Sequence, residues 1–140
     1  MKTVFFYGLF MDAALLRAKG LAPRHVRLSR LDGYGLRIGE RATLQASPGE
    51  CCYGTIMQLD DAEIEALYSD GSVAEYRPVG VEVRDADGTS VPAICYLLPM
   101  SQLSGSNPDY AEKLATVAVT LGLPDEFVME IETWIRNRPD

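Results

Sequence analysis

The 140-residue sequence is poor in the side chains that most enzymes use for metal binding and nucleophilic catalysis. His25 is its only histidine, which excludes a zinc site built on two or three imidazoles. A Ser-His-Asp or Cys-His arrangement would also have to use His25, which follows Pro23 in a loop-like segment and is interpreted as a surface residue. If the protein is an enzyme, we therefore expect a carboxylate, a lysine or a tyrosine to act as its acid or base.

Cysteine is equally scarce, with Cys51, Cys52 and Cys95 as the three examples. An odd number with two adjacent members is a poor framework for disulfide bonds, so we expect free thiols. Adjacent residues of a strand point to opposite faces, so Cys51 and Cys52 are not expected to converge on a metal ion.

Positive charge and long apolar runs are lacking as well. The chain has 13 Lys and Arg against 20 Asp and Glu, a formal net charge of −7, which argues against a nucleic-acid partner. No apolar run approaches the ~20 residues of a membrane span, so we expect no membrane partner. Residues 1–8 hold one basic side chain and too short an apolar stretch for a signal peptide, so we expect a cytoplasmic protein.

The rest of the composition is that of a globular protein. Hydrophobic residues make up 47% of the chain and charged residues 24%. A chain of this length can bury a core of its own, so we expect a single domain over residues 1–140.

The hydrophobic pattern predicts about six short strands and four helices. Strands are predicted at 1–7, 26–38 (as one or two), 41–45, 51–59, 76–84 and 91–98, and helices over 12–19 and from residues 60, 108 and 124. Asp60 and Glu63 have the spacing of a capping box, and Asp87-Gly88 is typical of a hairpin turn. Asn107-Pro108 places an N-cap residue before a proline at the first position of a helix. Because strands and helices do not alternate strictly, we expect a mixed sheet or a partly closed barrel flanked by helices.

Two segments carry candidate functional groups. Residues 6–12 run from a strand through Gly8 into a helix, so their backbone N–H groups form either an anion-binding nest or an ordinary turn. Asp70 lies between a helix and a strand and is either a positioned acid or base or part of a helix-ending turn. Tyr110 begins a helix, where its ring fits core packing and its hydroxyl is free to reach a cleft.

Taken in order, these motifs resemble the γ-glutamylcyclotransferase-like family, which includes the AIG2-like proteins. The resemblance covers nearly the whole chain and rests on the following residues: Tyr7-Gly8-Leu9-Phe10, Gly33-Tyr34, Tyr53-Gly54-Thr55, Asp70-Gly71, Tyr76-Arg77-Pro78, Pro108-Asp109-Tyr110 and Gly122-Leu123-Pro124.

The resemblance implies an α+β fold, a small mixed β-barrel with peripheral helices. It also implies a small-molecule γ-glutamyl substrate, cyclised to 5-oxoproline with release of an amine or peptide and with no metal or cofactor. The loop formed by Tyr7, Gly8, Leu9 and Phe10 would hold the substrate through its backbone N–H groups. Asp70 would stand where the family has its catalytic glutamate, and Tyr76 and Tyr110 would line the pocket.

Two departures from the family pattern lead to a second hypothesis. Asp70 is one methylene shorter than glutamate, and a shift of about 1 Å can cost on the order of 100-fold in rate. Leu9 and Phe10 stand where the family's enzymes usually carry a small or polar pair. The alternative is therefore a non-catalytic small-molecule-binding or regulatory module on the same barrel.

Overall fold

A computed structural model describes residues 1–71 and 73–136 of the chain. Within them, five strands form a closed barrel and four α-helices surround it. The strands are β1 (Lys2–Phe6), β2 (Arg24–Ile38), β3 (Ala42–Leu59), β4 (Arg77–Asp85) and β5 (Ser90–Leu97). The helices are α1 (Ala13–Ala18), α2 (Asp61–Tyr68), α3 (Pro108–Leu121) and α4 (Asp125–Arg136), with short 3-10 turns at Leu9–Met11 and Met100–Gln102. The expected mixed barrel with peripheral helices is confirmed.

The barrel closes through its first strand. The strand order is β1-β3-β2-β4-β5, and β1 returns to β5 in parallel, with Val4 opposite Ile94 and Phe5 opposite Cys95. The other pairs are antiparallel. The last three residues of β1, Val4, Phe5 and Phe6, are buried, so the segment that follows β1 leads directly out of the core.

Gly54 lets β1 and β3 approach each other closely. A Cβ atom at Gly54 would lie 2.1 Å from the carbonyl oxygen of Phe6 and 3.0 Å from the ring of Phe5. Both neighbours are buried, so neither can move aside cheaply. A glycine inside a strand often marks such a close approach of two backbones.

The prediction of about six short strands is wrong in one region. Residues 24–38 form one strand, and the two strands predicted at 41–45 and 51–59 are parts of the single strand β3. The register passes from Asp32 opposite Cys51 to Tyr34 opposite Ala46, so residues 47–50 form a bulge opposite Gly33. Pro48 and Gly49, between the two predicted strands, therefore lie in an irregularity within a single strand, with Gly33 and Gly49 both at positive φ.

The local helix signals are confirmed. Asp60 Oδ1 accepts a hydrogen bond from the N–H of Glu63 at 2.8 Å, and Glu63 Oε1 accepts one from the N–H of Asp60 at 3.0 Å, which completes the capping box of α2. Asn107 caps α3 through the N–H of Tyr110 at 3.0 Å. His25, interpreted as a surface residue, is exposed but lies inside β2 with a positive φ of 54°.

The core is one hydrophobic cluster that joins the barrel interior to the helices. It includes Phe5, Ile56 and Met57 of the barrel together with Leu114 of α3 and Ile131 of α4. No helix among the described residues is both long and apolar enough to span a bilayer.

Candidate active site

A cavity of about 360 Å³ opens where β1 ends and the chain turns toward α1. It brings together every residue predicted to bind substrate, namely Tyr7, Gly8, Leu9, Phe10, Tyr76 and Tyr110. These residues come from the 7–10 loop, the start of β4 and the start of α3, which the barrel places side by side.

The 7–10 loop presents backbone donors. Met11 N–H donates to Gly8 O at 2.9 Å, which shapes the loop into a 3-10 turn. Leu9 N–H donates to the hydroxyl of Tyr110 over a long 3.4 Å. Among the described residues, the N–H groups of Gly8 and Phe10 have no hydrogen-bond acceptor. They are therefore available to the oxygen atoms of a ligand.

The tyrosines of the cavity are neutral groups. Burial raises the pKa of Tyr76 to about 12, and it raises the pKa of Tyr7 and of Tyr110 well above the ordinary phenol value. The hydroxyl of Tyr7 donates to Tyr96 O at 2.7 Å, and that of Tyr76 donates to Ala42 O at 2.5 Å. These phenols position the walls of the cavity and are poor candidates for a base.

Two further tyrosines, Tyr68 and Tyr96, complete an aromatic wall that the sequence did not predict. Phe10 makes an edge-to-face contact with Tyr68 at a centroid distance of 6.0 Å, and Tyr68 stacks on Tyr96 at 4.1 Å. Tyr68 ends α2 and Tyr96 lies in β5, so only the closure of the barrel brings them together. The sequence gives one local indication of this wall, which is that Tyr68 stands two residues before Asp70.

Three charged residues also line the cavity and were missed. Lys19 follows α1, and Glu40 and Arg41 form the turn between β2 and β3. Arg41 makes an ion pair with Glu75 at 3.1 Å, which ties this turn to the segment before β4. The main chain of Glu40 is held by Ser104 O at 2.8 Å and by the side-chain amide of Asn107 at 3.2 Å. No local motif marks these residues, because their position depends on contacts between distant parts of the chain.

Asp70, the predicted catalytic residue, lies outside this group. It is exposed in the turn after α2, where its carbonyl accepts a hydrogen bond from Val73 N–H at 3.0 Å. Tyr68 and Val73 on either side of it line the cavity, whereas Asp70 is not among the lining residues. Its catalytic role stays a prediction.

The described residues contain no group of three or more His, Cys, Asp or Glu side chains arranged to hold a metal ion. All three cysteines are free thiols, as expected from their number and spacing.

Comparisons with known proteins point to the same fold. The model of the AIG2-like family matches residues 51–131. The structure resembles that of an uncharacterized human protein, with a TM-score of 0.77 and 20% identity over 99% of this chain and 89% of that one. It also resembles a gamma-glutamyl cyclotransferase, with a TM-score of 0.76 and 19% identity over 99% and 89% of the two chains.

A more distant likeness is to a yeast gamma-glutamyl cyclotransferase specific to glutathione, with a TM-score of 0.65 and 12% identity over 97% of this chain and 96% of that one. No curated protein matches the sequence. At these identities the solved structures show a shared fold, and the family model covers more than half of the sequence. The chain therefore belongs to the AIG2-like family and has the γ-glutamylcyclotransferase-like fold.

Proposed function

We propose that this protein is a cyclotransferase that converts the γ-glutamyl group of a small conjugate to 5-oxoproline. The observation that carries the proposal is the cavity over the 7–10 loop, whose unpaired N–H groups at Gly8 and Phe10 suit the oxygen atoms of a γ-glutamyl group. Membership of the AIG2-like family and the likeness to gamma-glutamyl cyclotransferases support it.

The reaction needs binding geometry and one proton carrier. The α-amino nitrogen attacks the γ-carbonyl carbon, a new C–N bond closes the five-membered ring, and the bond to the leaving nitrogen breaks. One proton moves from the attacking amine to the leaving nitrogen, so no other reactant is consumed. Because nucleophile and carbonyl belong to one molecule, holding them in a folded conformation supplies much of the acceleration.

Asp70 is our proposal for the proton carrier, since it stands at the position of the family's glutamate. A carboxylate can accept the proton of the amine and return it to the leaving group. Its neighbours Tyr68 and Val73 line the cavity, so Asp70 belongs to a segment that borders the substrate site. Glu40 is the competing carboxylate, because it lines the cavity directly.

A non-catalytic binding module is the second candidate. The exposed position of Asp70 outside the cavity lining favours it, since a γ-glutamyl group bound with neither Asp70 nor Glu40 at its attacking nitrogen would stay intact.

The test is the release of 5-oxoproline from a panel of γ-glutamyl amides and peptides. If Asp70 carries the proton, Asp70→Asn should lower kcat by roughly 10²- to 10⁴-fold with the fold intact. Asp70→Glu should retain or raise activity if the family geometry is kept. Asp61→Asn is the matched control, because Asp61 is an exposed residue of α2 that pairs with Lys2 and is not among the residues lining the cavity.

Glu40→Gln distinguishes the two carboxylates. Loss of activity in Glu40→Gln together with full activity in Asp70→Asn would transfer the role to Glu40. Binding of γ-glutamyl compounds without any turnover by the wild-type protein would favour the binding module.

A further inference from the structure

A second cavity, of about 330 Å³, is lined by residues of β2, β3, the end of β4 and the turn that joins α3 to α4. Among the described residues, none of those lining it also lines the candidate active site. Its two cationic lining residues are Arg30 and Arg84, so we call it the arginine cavity. The proposed function makes no use of it.

The two arginines stand opposite each other where β2 meets β4. In the part of the chain that the structure describes, this junction consists of two residue pairs, Ser29 opposite Asp85 and Arg30 opposite Arg84. Like charges directly opposite each other on paired strands destabilise a sheet. Two cations therefore occupy a position where the stability of the barrel alone would favour neutral or opposite charges.

The hydrogen-bonding groups of this wall are incompletely used. Asp32 Oδ1 lies 2.9 Å from Arg30 Nε, without the alignment of a hydrogen bond, and Asp32 Oδ2 lies 3.8 Å from Arg84 Nε. Arg84 also donates to Gly88 O at 3.3 Å. Each guanidinium has five N–H donors, so both arginines keep donors for a ligand. Ser29 is 4% exposed, and its hydroxyl has no hydrogen-bond partner among the described residues.

The ion pairs around the cavity leave an excess of positive charge. Asp85, the acidic lining residue, pairs with Arg27 at 3.3 Å and accepts two backbone N–H groups of the β4–β5 turn. Three arginines thus share two carboxylates, which gives these five side chains a net charge of +1 on a chain of net charge −7. Asp125 and Glu126 at the start of α4 are exposed and do not line the cavity.

The remaining wall of the cavity is mainly apolar. It includes Leu28, Leu123 and Pro124, together with the ring of Tyr53. That ring is held by Phe127 of α4 at a centroid distance of 5.4 Å. A ligand with an anionic group and an apolar group would place the first at the arginines and bury the second against this wall.

We propose that the arginine cavity binds a small phosphate monoester with an apolar organic group. Arginine binds phosphate through two parallel hydrogen bonds, and the three terminal oxygens of a monoester can accept from two guanidiniums at once. A carboxylate offers two oxygens in one plane, which Asp32 already supplies. The volume of about 330 Å³ is at the lower end of the range for ligand cavities, about 300 to 1,000 Å³, which favours a small organic group. The proposal does not depend on the proposed function.

Calorimetry on the full chain, with phenyl phosphate as the probe at pH 8 and constant ionic strength, tests the proposal. At this pH the probe is a dianion, because the second pKa of a phosphate monoester is about 6. Arg30→Gln and Arg84→Gln should each weaken binding at least about tenfold through the loss of charged hydrogen bonds. Arg17→Gln is the matched control, since Arg17 is an exposed residue of α1 outside both cavities and its loss changes the net charge equally. Equal affinities of all four proteins, or no binding by the wild type, would overturn the proposal.

Lys19→Gln shows whether the probe binds at the candidate active site instead, because Lys19 lines that cavity. We expect the affinity of this variant to match that of the wild type. Weaker binding in Lys19→Gln, with unchanged binding in Arg30→Gln and Arg84→Gln, would place the anion at the candidate active site and overturn the proposal. None of these measurements uses the release of 5-oxoproline, so they succeed or fail separately from the proposed activity.

Two further ligands test the chemical class. Benzoate keeps the ring and replaces the phosphate by a carboxylate, whereas methyl phosphate keeps the phosphate and loses the ring. Both should bind at least about tenfold more weakly than phenyl phosphate, through lost charged hydrogen bonds in the first case and lost apolar burial in the second. Equal or tighter binding of benzoate would contradict the phosphate assignment, and equal or tighter binding of methyl phosphate would contradict the role of the apolar wall.

Urea unfolding provides an independent readout. A ligand that binds only the folded protein stabilises it, so phenyl phosphate should raise the unfolding midpoint of the wild type and leave that of Arg84→Gln nearly unchanged. A rise of the same size in both proteins would show that the anion acts elsewhere on the molecule and would overturn the proposal.

Discussion

The hydroxyl of Tyr110 lies against the backbone of Gly8, so close that a Cβ atom on Gly8 would meet it at 2.6 Å. Gly8 has a φ of −103°, which any residue adopts, so the requirement for glycine here is steric. This contact sets the distance between the 7–10 loop and α3, and the same hydroxyl accepts the N–H of Leu9. Two motifs about a hundred residues apart in sequence thus fit together as one wall of the cavity.

Gly8→Ala should therefore destabilise the protein, by about 1–3 kcal/mol, because the added methyl group overpacks the contact. Tyr110→Phe removes the oxygen atom concerned, so the alanine should cost less in that background. Urea unfolding of the four proteins of this double-mutant cycle measures the coupling. Equal costs of Gly8→Ala in both backgrounds would show that the contact is not the reason for the glycine.

Thr43 makes the second long-range contact that we expect to be sensitive. It is fully buried, and its hydroxyl donates to Leu98 O at 2.7 Å and accepts from Leu98 N–H at 2.9 Å. Thr43→Val keeps the shape but leaves both backbone groups unpaired, so the free energy of unfolding should fall by about 1–3 kcal/mol or more. Thr116→Val, on the exposed side of α3, should change it by about 0.5 kcal/mol at most, and a similar loss in both variants would refute the role of Thr43.

The capping box of α2 predicts a pH dependence of stability. Hydrogen bonds from the N–H groups of Asp60 and Ala22 lower the pKa of Glu63, with a smaller contribution from Arg24. A carboxyl whose pKa is lower in the folded state stabilises the fold fully above its unfolded pKa of about 4.3, and this contribution is lost as the pH falls through the folded value.

Glu63→Gln should accordingly be less stable than the wild-type protein at pH 7, and the difference should shrink below about pH 4.3. Urea unfolding at a series of pH values measures it, and the other carboxyl groups cancel in the comparison. A difference that is the same at pH 7 and pH 3 would mean that the charge of Glu63 does not contribute.

The thiols should differ in reactivity. Burial raises the pKa of Cys95 to about 12 and also raises the pKa of Cys52, whereas Cys51 is only half-buried. Since the thiolate is the reactive form, a disulfide reagent at pH 8 should label Cys51 first and the other two only as the protein opens. In the unfolded, unreduced protein all three should react. A single reactive thiol after unfolding would contradict the free-thiol assignment.

Much of the fold could be predicted because its signals are local. The Asp60–Glu63 capping box, the Asn107 cap and the Asp87-Gly88 turn each depend on a few neighbouring residues, and all three are present. The β2–β3 pair was misjudged because the pairing continues across the bulge at 47–50, and a turn signal does not show whether a strand resumes in the same ladder.

The residues of the cavity divide in the same way, into those with a local sequence signal and those placed by long-range contacts. The 7–10 loop, Tyr76 and Tyr110 were identified from motifs, whereas Glu40, Arg41, Tyr68 and Tyr96 were not. Their positions depend on barrel closure, on the Arg41–Glu75 ion pair and on ring stacking between α2 and β5. None of these contacts has a signature in a single stretch of sequence.

The most direct test of the central claim is the release of 5-oxoproline from γ-glutamyl amides by the purified wild-type protein, followed by mass spectrometry beside Asp70→Asn and Asp61→Asn. We predict that 5-oxoproline and free amine form in equal amounts, and that the wild-type and Asp61→Asn proteins release them at the same rate. In Asp70→Asn this rate should fall by roughly 10²-fold or more. Failure of the folded wild-type protein to release 5-oxoproline above the uncatalysed rate from any amide would contradict the proposed activity.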